Sequence, residues 1–189
     1  MSYSDISICS NALLKLGANG ITSFDDGTAE AEISSALYGI IRDGMLSAYP
    51  WSFAKAQKKL PRMTDVPVAD FSYAYQLPND FLRVISAGCG TRGQGIEYRI
   101  HENRLHTDQP EVILTYIFRP DENSFPAFFV EALIARLAAE FCPPLTESTA
   151  RTEFLTKIAE DTLTKARLID SQQSTPRCFE DFTLVEARL

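Results

Sequence analysis

The residues of this 189-residue chain whose spacing most resembles a site of chemistry are glycines. Gly88-Cys89-Gly90-Thr91-Arg92-Gly93 has the spacing with which dinucleotide-binding loops turn tightly and bring backbone N–H groups up to a pyrophosphate. That chemistry needs a helix N-terminus directly after the loop, where unpaired N–H groups and the helix dipole meet the phosphates. Here the chain runs on into Ile96-Glu97-Tyr98-Arg99-Ile100, whose alternation reads as a strand. The glycines are therefore expected to form a mobile hairpin loop over 88–95 at a sheet edge, and no cofactor is expected.

Other groups with chemical potential are sparse. His101 and His106 flank a tight turn, with no carboxylate or cysteine pattern at metal-ligand spacing and no partner that would complete a catalytic triad. Cys9, Cys89, Cys142 and Cys178 are far apart, which reads as reduced and mostly buried thiols rather than a zinc knuckle or a redox pair. Asp25, Asp26, Glu30 and Glu32 cluster, and paired carboxylates can serve a glycosidase as acid and base. Acidic residues at a helix start are better explained by capping and by the helix dipole. The sequence thus predicts no catalytic residue and no metal site.

These residues must be carried by a fold, and bulk properties limit which. Hydrophobic residues make up 45% of the chain, enough to bury a real core. Eighteen Lys plus Arg stand against 25 Asp plus Glu, a net charge of -7 and a pI near 4.9, which leaves no broad cationic surface for wrapping nucleic acid. Met1-Ser-Tyr-Ser-Asp-Ile has no signal-peptide pattern, and no apolar run is long enough to span a bilayer, so synthesis in the cytoplasm and no membrane partner are expected.

Periodicity predicts an α+β protein, mostly α. Ser4 caps a first helix over 4–16, with Ile8, Cys9, Ala12, Leu13 and Leu16 on one face and Gly17 ending it. A turn at Phe24-Asp25-Asp26-Gly27-Thr28 precedes a second helix with a face of Ile33, Leu37, Ile40, Ile41, Gly44 and Ala48, stopped by Pro50. From about 51 to 119 extended structure takes over as one small antiparallel sheet, with Phe71, Tyr73 and Tyr75 alternating, then runs at 81–87, 96–100, 105–107 and 111–119. A third helix starts near Pro126 and ends at Cys142-Pro143-Pro144. Thr146 or Ser148 caps a fourth, with the stripe Leu155, Ile158, Ala159, Thr162, Ala166 and Ile169. Residues 1–170 form the helical domain with its inserted β region. Residues 171–189 form a tail in which a polar linker leads to Phe179, Phe182, Leu184, Val185 and Leu189.

Several pieces, in order, resemble one family. They are Ala12-Leu13-Leu14-Lys15-Leu16-Gly17, Ile21-Thr22-Ser23-Phe24-Asp25-Asp26, Ala36-Leu37-Tyr38, Pro50-Trp51-Ser52-Phe53-Ala54, and Tyr75-Gln76-Leu77-Pro78-Asn79-Asp80-Phe81-Leu82-Arg83-Val84, then Leu114-Thr115-Tyr116-Ile117 and the helical 132–140. Together they are similar to the tailed-bacteriophage head-to-tail adaptors of the tail tubular protein A and tail accessory factor type, over roughly 4–170. The resemblance implies a four-helix adaptor core and a ring, expected to be dodecameric, that joins the portal protein to a tail or stopper protein in the virion neck. The resemblance also implies that DNA passes through the ring's channel without specific binding. Gly17, Phe24, Asp25, Asp26, Pro50, Trp51, Phe53, Leu77, Pro78 and Tyr116 are the family-motif positions, and physics gives them structural work. Docking on the portal falls to Phe179, Phe182, Leu184, Val185 and Leu189. The competing expectations are a virion-associated cell-wall hydrolase and a monomeric helical binding module.

Overall fold

Ser4 and Ser7 open the first helix with a reciprocal cap: Ser7 N donates to Ser4 Oγ at 3.1 Å and Ser4 N donates to Ser7 Oγ at 2.9 Å. Helix α1 (Asp5–Lys15) buries Ile8, Cys9, Ala12 and Leu13, and Gly17 follows its last turn at φ +71°, a backbone conformation that L side chains rarely adopt. The computed structural model describes residues 3–90 and 93–173. Among these, α1 is followed by α2 (Ala29–Ala48), a 3-10 turn (Ser52–Ala54), strands β1 (Lys55–Lys59), β2 (Tyr73–Gln76), β3 (Phe81–Gly88), β4 (Arg99–His101), β5 (Arg104–Thr107) and β6 (Ile113–Phe118), a second 3-10 turn (Glu122–Ser124), then α3 (Ala127–Thr146) and α4 (Thr149–Ser171).

Helix α3 is the axis of the helical core. Its buried residues include Phe129, Leu133, Leu137, Phe141 and Cys142, with Ala135 and Ala139 on another face. A helix apolar most of the way round must be covered on several sides, and α1, α2 and α4 do this. Ala135 and Ala139 meet Ala159 of α4, so small residues allow these two helices to approach closely. No described helix is long and apolar enough to cross a membrane.

The β region is two three-stranded antiparallel sheets, in the orders β1-β6-β3 and β2-β5-β4, rather than the one sheet expected. Between them lies a second core of Leu60, Tyr75, Leu77, Ala87, Leu105, Val112, Leu114 and Tyr116. Strand β6 links the two cores, because the period of two sends Leu114 and Tyr116 into the sheet core and Ile117 into the helical one. The edge strand β1 carries exposed Lys55, Lys58 and Lys59, which discourage edge-to-edge pairing. Glu102 and Asn103, at φ 48° and 61°, form the β4–β5 turn with two left-handed residues, as a two-residue hairpin favours.

Several expectations are corrected. Helix α3 does not stop at Pro143 but runs through both prolines to Thr146. Two consecutive prolines remove only two N–H donors, and the same turns are held by the buried Phe141 and Cys142, with Thr146 Oγ1 donating to Cys142 O at 2.8 Å. On α2 the face turned inward holds Ala31, Ser34, Tyr38, Met45 and Leu46; Ile33, Leu37 and Ile41 are half-buried, and Ile40 is 72% exposed. On α4, Ile158 and Ile169 are exposed, and only Ala159, Ala166 and Asp170 are buried. Of the stretch 96–100 only Arg99 and Ile100 are strand, within β4, although Ile96 and Tyr98 still pack on the sheet core.

Candidate functional site

The residues that carry the sequence resemblance do not form one site; they sit at three joints of the fold. At the first, Asp26 accepts from Thr22 N at 2.7 Å and Ser23 N at 3.0 Å. The cap of α2 is instead Thr28, whose hydroxyl accepts from Ala31 N. Asp26 thus shapes the turn before the helix, where Asp25 N donates to Ser23 Oγ at 3.1 Å, which corrects the expectation that the two residues cap it. Phe24 packs half-buried on the helical core. The Thr22 and Ser23 N–H groups hold the Asp26 carboxyl below its ordinary value, the opposite of the upward shift a general acid needs.

At the second joint, the chain leaves α2 through Pro50. Trp51 is fully buried and its Nε1 donates to Met45 O at 2.9 Å, satisfying a carbonyl in the last turn of α2. Its ring meets Phe129 edge-on at 5.1 Å between centroids, and Phe53 meets Phe125 and Phe129 at 6.0 and 5.0 Å. The buried Asp170, near the end of α4, accepts from Ser52 N at 3.1 Å and from Ser52 Oγ at 2.6 Å. One carboxylate therefore ties the last helix to the start of the β region.

At the third joint, Leu77 is buried ahead of Pro78, and Asp80 receives the Tyr116 hydroxyl at 3.3 Å while its carbonyl accepts from Arg119 N at 3.0 Å. Two motif pieces far apart in sequence meet here. Burial, and then Asp80, push the Tyr116 hydroxyl above its ordinary pKa.

A charged clamp beside this joint was not anticipated. Arg42 Nε donates to Asp43 at 2.9 Å and its Nη1 to Glu122 at 2.7 Å; Tyr38 also donates to Glu122, and Arg119 Nε donates to Asp43 at 3.0 Å. Burial works to raise the Glu122 carboxyl, yet the bonds from Arg42, its own backbone and Tyr38 leave it below its ordinary value. The clamp fixes α2 against the end of β6 and the segment leading to α3. Its one signal in the sequence was Arg42-Asp43 interrupting an otherwise apolar helix face.

The reactive residue types are placed as follows. Cys9 is buried, which pushes its thiol up to about 12, far from a nucleophilic thiolate. Cys142 is also buried, whereas Cys89 is exposed. His101 and His106 face each other at 5.5 Å on the β4–β5 hairpin, beside a cavity of about 390 Å³ also lined by Asp65, Asp70 and Arg104. Desolvation, then His101 and Arg104, lower the His106 pKa. Among the described residues no group of three or more His, Cys, Asp or Glu is arranged to hold a metal. The glycine loop is tied down rather than free at Gly93: Ser86 Oγ donates to Gly93 O at 2.7 Å. A Cβ on Gly93 would lie 2.9 Å from Gln57 Nε2 and 3.2 Å from Thr115 Oγ1, so glycine lets this strand-to-strand loop lie flat on the sheet. Thr91 and Arg92 fall outside the described residues.

The remaining candidate surfaces are apolar. Helix α4 leaves Phe154, Ile158, Leu168 and Ile169 in solvent, and an open groove of about 470 Å³ runs between α2 and α4 past Leu37, Ile40, Ile41 and Leu163. The expected portal-binding residues Phe179, Phe182, Leu184, Val185 and Leu189 lie outside the described residues. Compared with known proteins, the chain matches no family model and no curated protein.

Proposed function

We propose that this chain is a structural head-to-tail adaptor subunit of a tailed phage or phage-like particle. Copies form a ring, dodecameric by resemblance, between the portal protein above and a tail or stopper protein below. The observation that carries this reading is the ordered set of motif pieces, whose residues stand at the joints between helices and sheets and not around a reaction centre. Trp51 and Phe53 close the end of α2, and Tyr116 meets Asp80 of the Leu77-Pro78-Asn79-Asp80 stretch. Rigid joints between elements are what a subunit needs when its task is to hold a shape.

Two further features support it. A ring requires each copy to offer lateral apolar surface to its neighbours, and α4 has four large apolar residues in solvent. The charge of -7 suits a channel component, because a lumen poor in cations lets a polyanion slide, whereas a basic lining would bind its phosphates.

Size-exclusion chromatography with light scattering on the full chain, alone and mixed with portal rings from the same genome, tests the reading. Co-elution with the portal at a fixed subunit ratio is expected, even when the free chain runs as a monomer, since a ring can assemble on the portal as template. Separate elution of the two at micromolar concentrations would remove the proposal.

A further inference from the structure

The groove between α2 and α4 has apolar walls, and its edge carries Arg136, Glu140 and Arg167. Leu37, Ile41 and Leu163 are half-buried along it and Ile40 stands 72% exposed above it. Arg136 is paired with Glu140 one turn on. The guanidinium of Arg167 rests 5.5 Å from the Tyr49 ring centroid, and its Nε is buried without a hydrogen-bond partner among the described residues. A buried N–H left without an acceptor is rare in native proteins and calls for an acceptor from elsewhere.

The chain has a segment of matching character. Residues 179–186 contain Phe179, Phe182, Leu184 and Val185 together with Glu180, Asp181 and Glu186, and no lysine or arginine. The distance also fits. Leu163 and Arg167 lie 8 and 4 residues before the end of α4 at Ser171, about 12 and 6 Å back along its axis at 1.5 Å per residue. The 6 residues from Gln173 to Phe179 span up to about 20 Å when extended, enough to turn back over the last helix turns.

We propose that residues 179–185 of the same chain occupy this groove in the free subunit, with the two phenylalanines against Leu37, Ile40, Ile41 and Leu163 and a carboxylate of Glu180 or Asp181 accepting from Arg167 Nε. The groove thereby covers the apolar side chains of the tail before assembly. The inference does not depend on the adaptor reading. Combined with it, portal engagement becomes an exchange in which the tail leaves the groove for the partner, which discourages premature association of free subunits.

Hydrogen exchange by mass spectrometry on the full chain, followed at several protein concentrations, tests this. Amides of 179–185 should exchange at least ~10-fold more slowly in the native chain than in Ile40→Glu, a change at an exposed site that should leave the melting temperature in place. The Phe179→Ser/Phe182→Ser double variant, altered outside the core, should show faster exchange across 37–48 of α2. Exchange of 179–185 at the rate of an unstructured peptide in the native chain would overturn the proposal, as would protection that survives Ile40→Glu. Protection that vanishes on dilution would assign the groove to the tail of a second copy and so overturn the same-chain assignment. None of these results depends on portal binding, so the proposal can fail while the adaptor reading stands.

Discussion

In the helical core, α3 is covered by three other helices and half of its 20 residues are buried. In the β region no sheet exceeds three strands, and the shared core comprises eight buried residues under strands of three to eight residues. The loop before β2 leaves Val66 and Val68 in solvent, and β4 buries none of its side chains. A region with so little apolar burial draws its order from elsewhere: from the aromatic joint at Trp51, from the Arg42–Glu122 and Asp43–Arg119 pairs, and from Asp170 holding Ser52. The helical core should therefore be the more stable unit, and the β region should open first while remaining attached to it.

The most damaging single change should be Trp51→Ala. It empties a fully buried site and strips the Met45 carbonyl of its donor, so a loss of about 3–5 kcal/mol is expected in urea denaturation, with both regions affected. A loss confined to the sheets would show that the joint belongs to the β region alone. Leu105→Ala should cost about 2–5 kcal/mol, but with faster amide exchange in β2, β4 and β5 than in α3. Equal acceleration in α3 would mean that the two regions unfold as one unit and would break the comparison.

These expectations rest on burial, and burial was only partly legible in the sequence. Helical spacing showed α1 and α3 clearly, because their apolar residues were concentrated where the core needed them. On α2, apolar residues lie on both sides, and periodicity favoured Ile40 over Ser34 and Tyr38. Tyr38 is inside because Glu122, 84 residues away, accepts its hydroxyl, a contact no local pattern announces. The split of the β region into two sheets was hidden for a similar reason. Alternation locates strands but not partners, and β6 pairs with β1 and β3, not with its neighbour in sequence β5. The continuation of α3 through Pro143 and Pro144 ran against local propensity and was decided by burial of the residues before them. Of the motif positions, Trp51 and Gly17 do the work their residue types suggested, whereas Asp26 organises a turn, not a helix start.

A smaller effect should follow from Asp170→Ala. Losing the acceptor for Ser52 N and Oγ should cost about 1–3 kcal/mol and loosen the start of β1, with Asp170→Asn recovering part of it. An unchanged melting temperature in Asp170→Ala would remove this tie from the account.

The smallest effect is a dependence on pH. The Glu122 carboxyl is held below its ordinary value of 4.5 in the folded chain. The unfolded chain therefore binds this proton more readily, and the stabilisation is complete above about pH 4.5 and lost as pH falls through the lower folded value. The β region should accordingly loosen in acid before the helices do, and Glu122→Gln should flatten that part of the stability curve. A Glu122→Gln variant with an acid limb identical to the native chain's would show that the clamp does not couple the two regions.

If the helical core is the rigid unit that seats the subunit, and the β region the part it presents to the next component, both should be visible in one assembly. Electron microscopy of portal rings incubated with the full chain tests this most directly. The account predicts class averages with an added ring, coaxial with the portal and of matched rotational symmetry, its helical layer against the portal and its β layer outermost. Portal rings that stay bare at saturating protein, or that carry the protein off-axis and without symmetry, would contradict it.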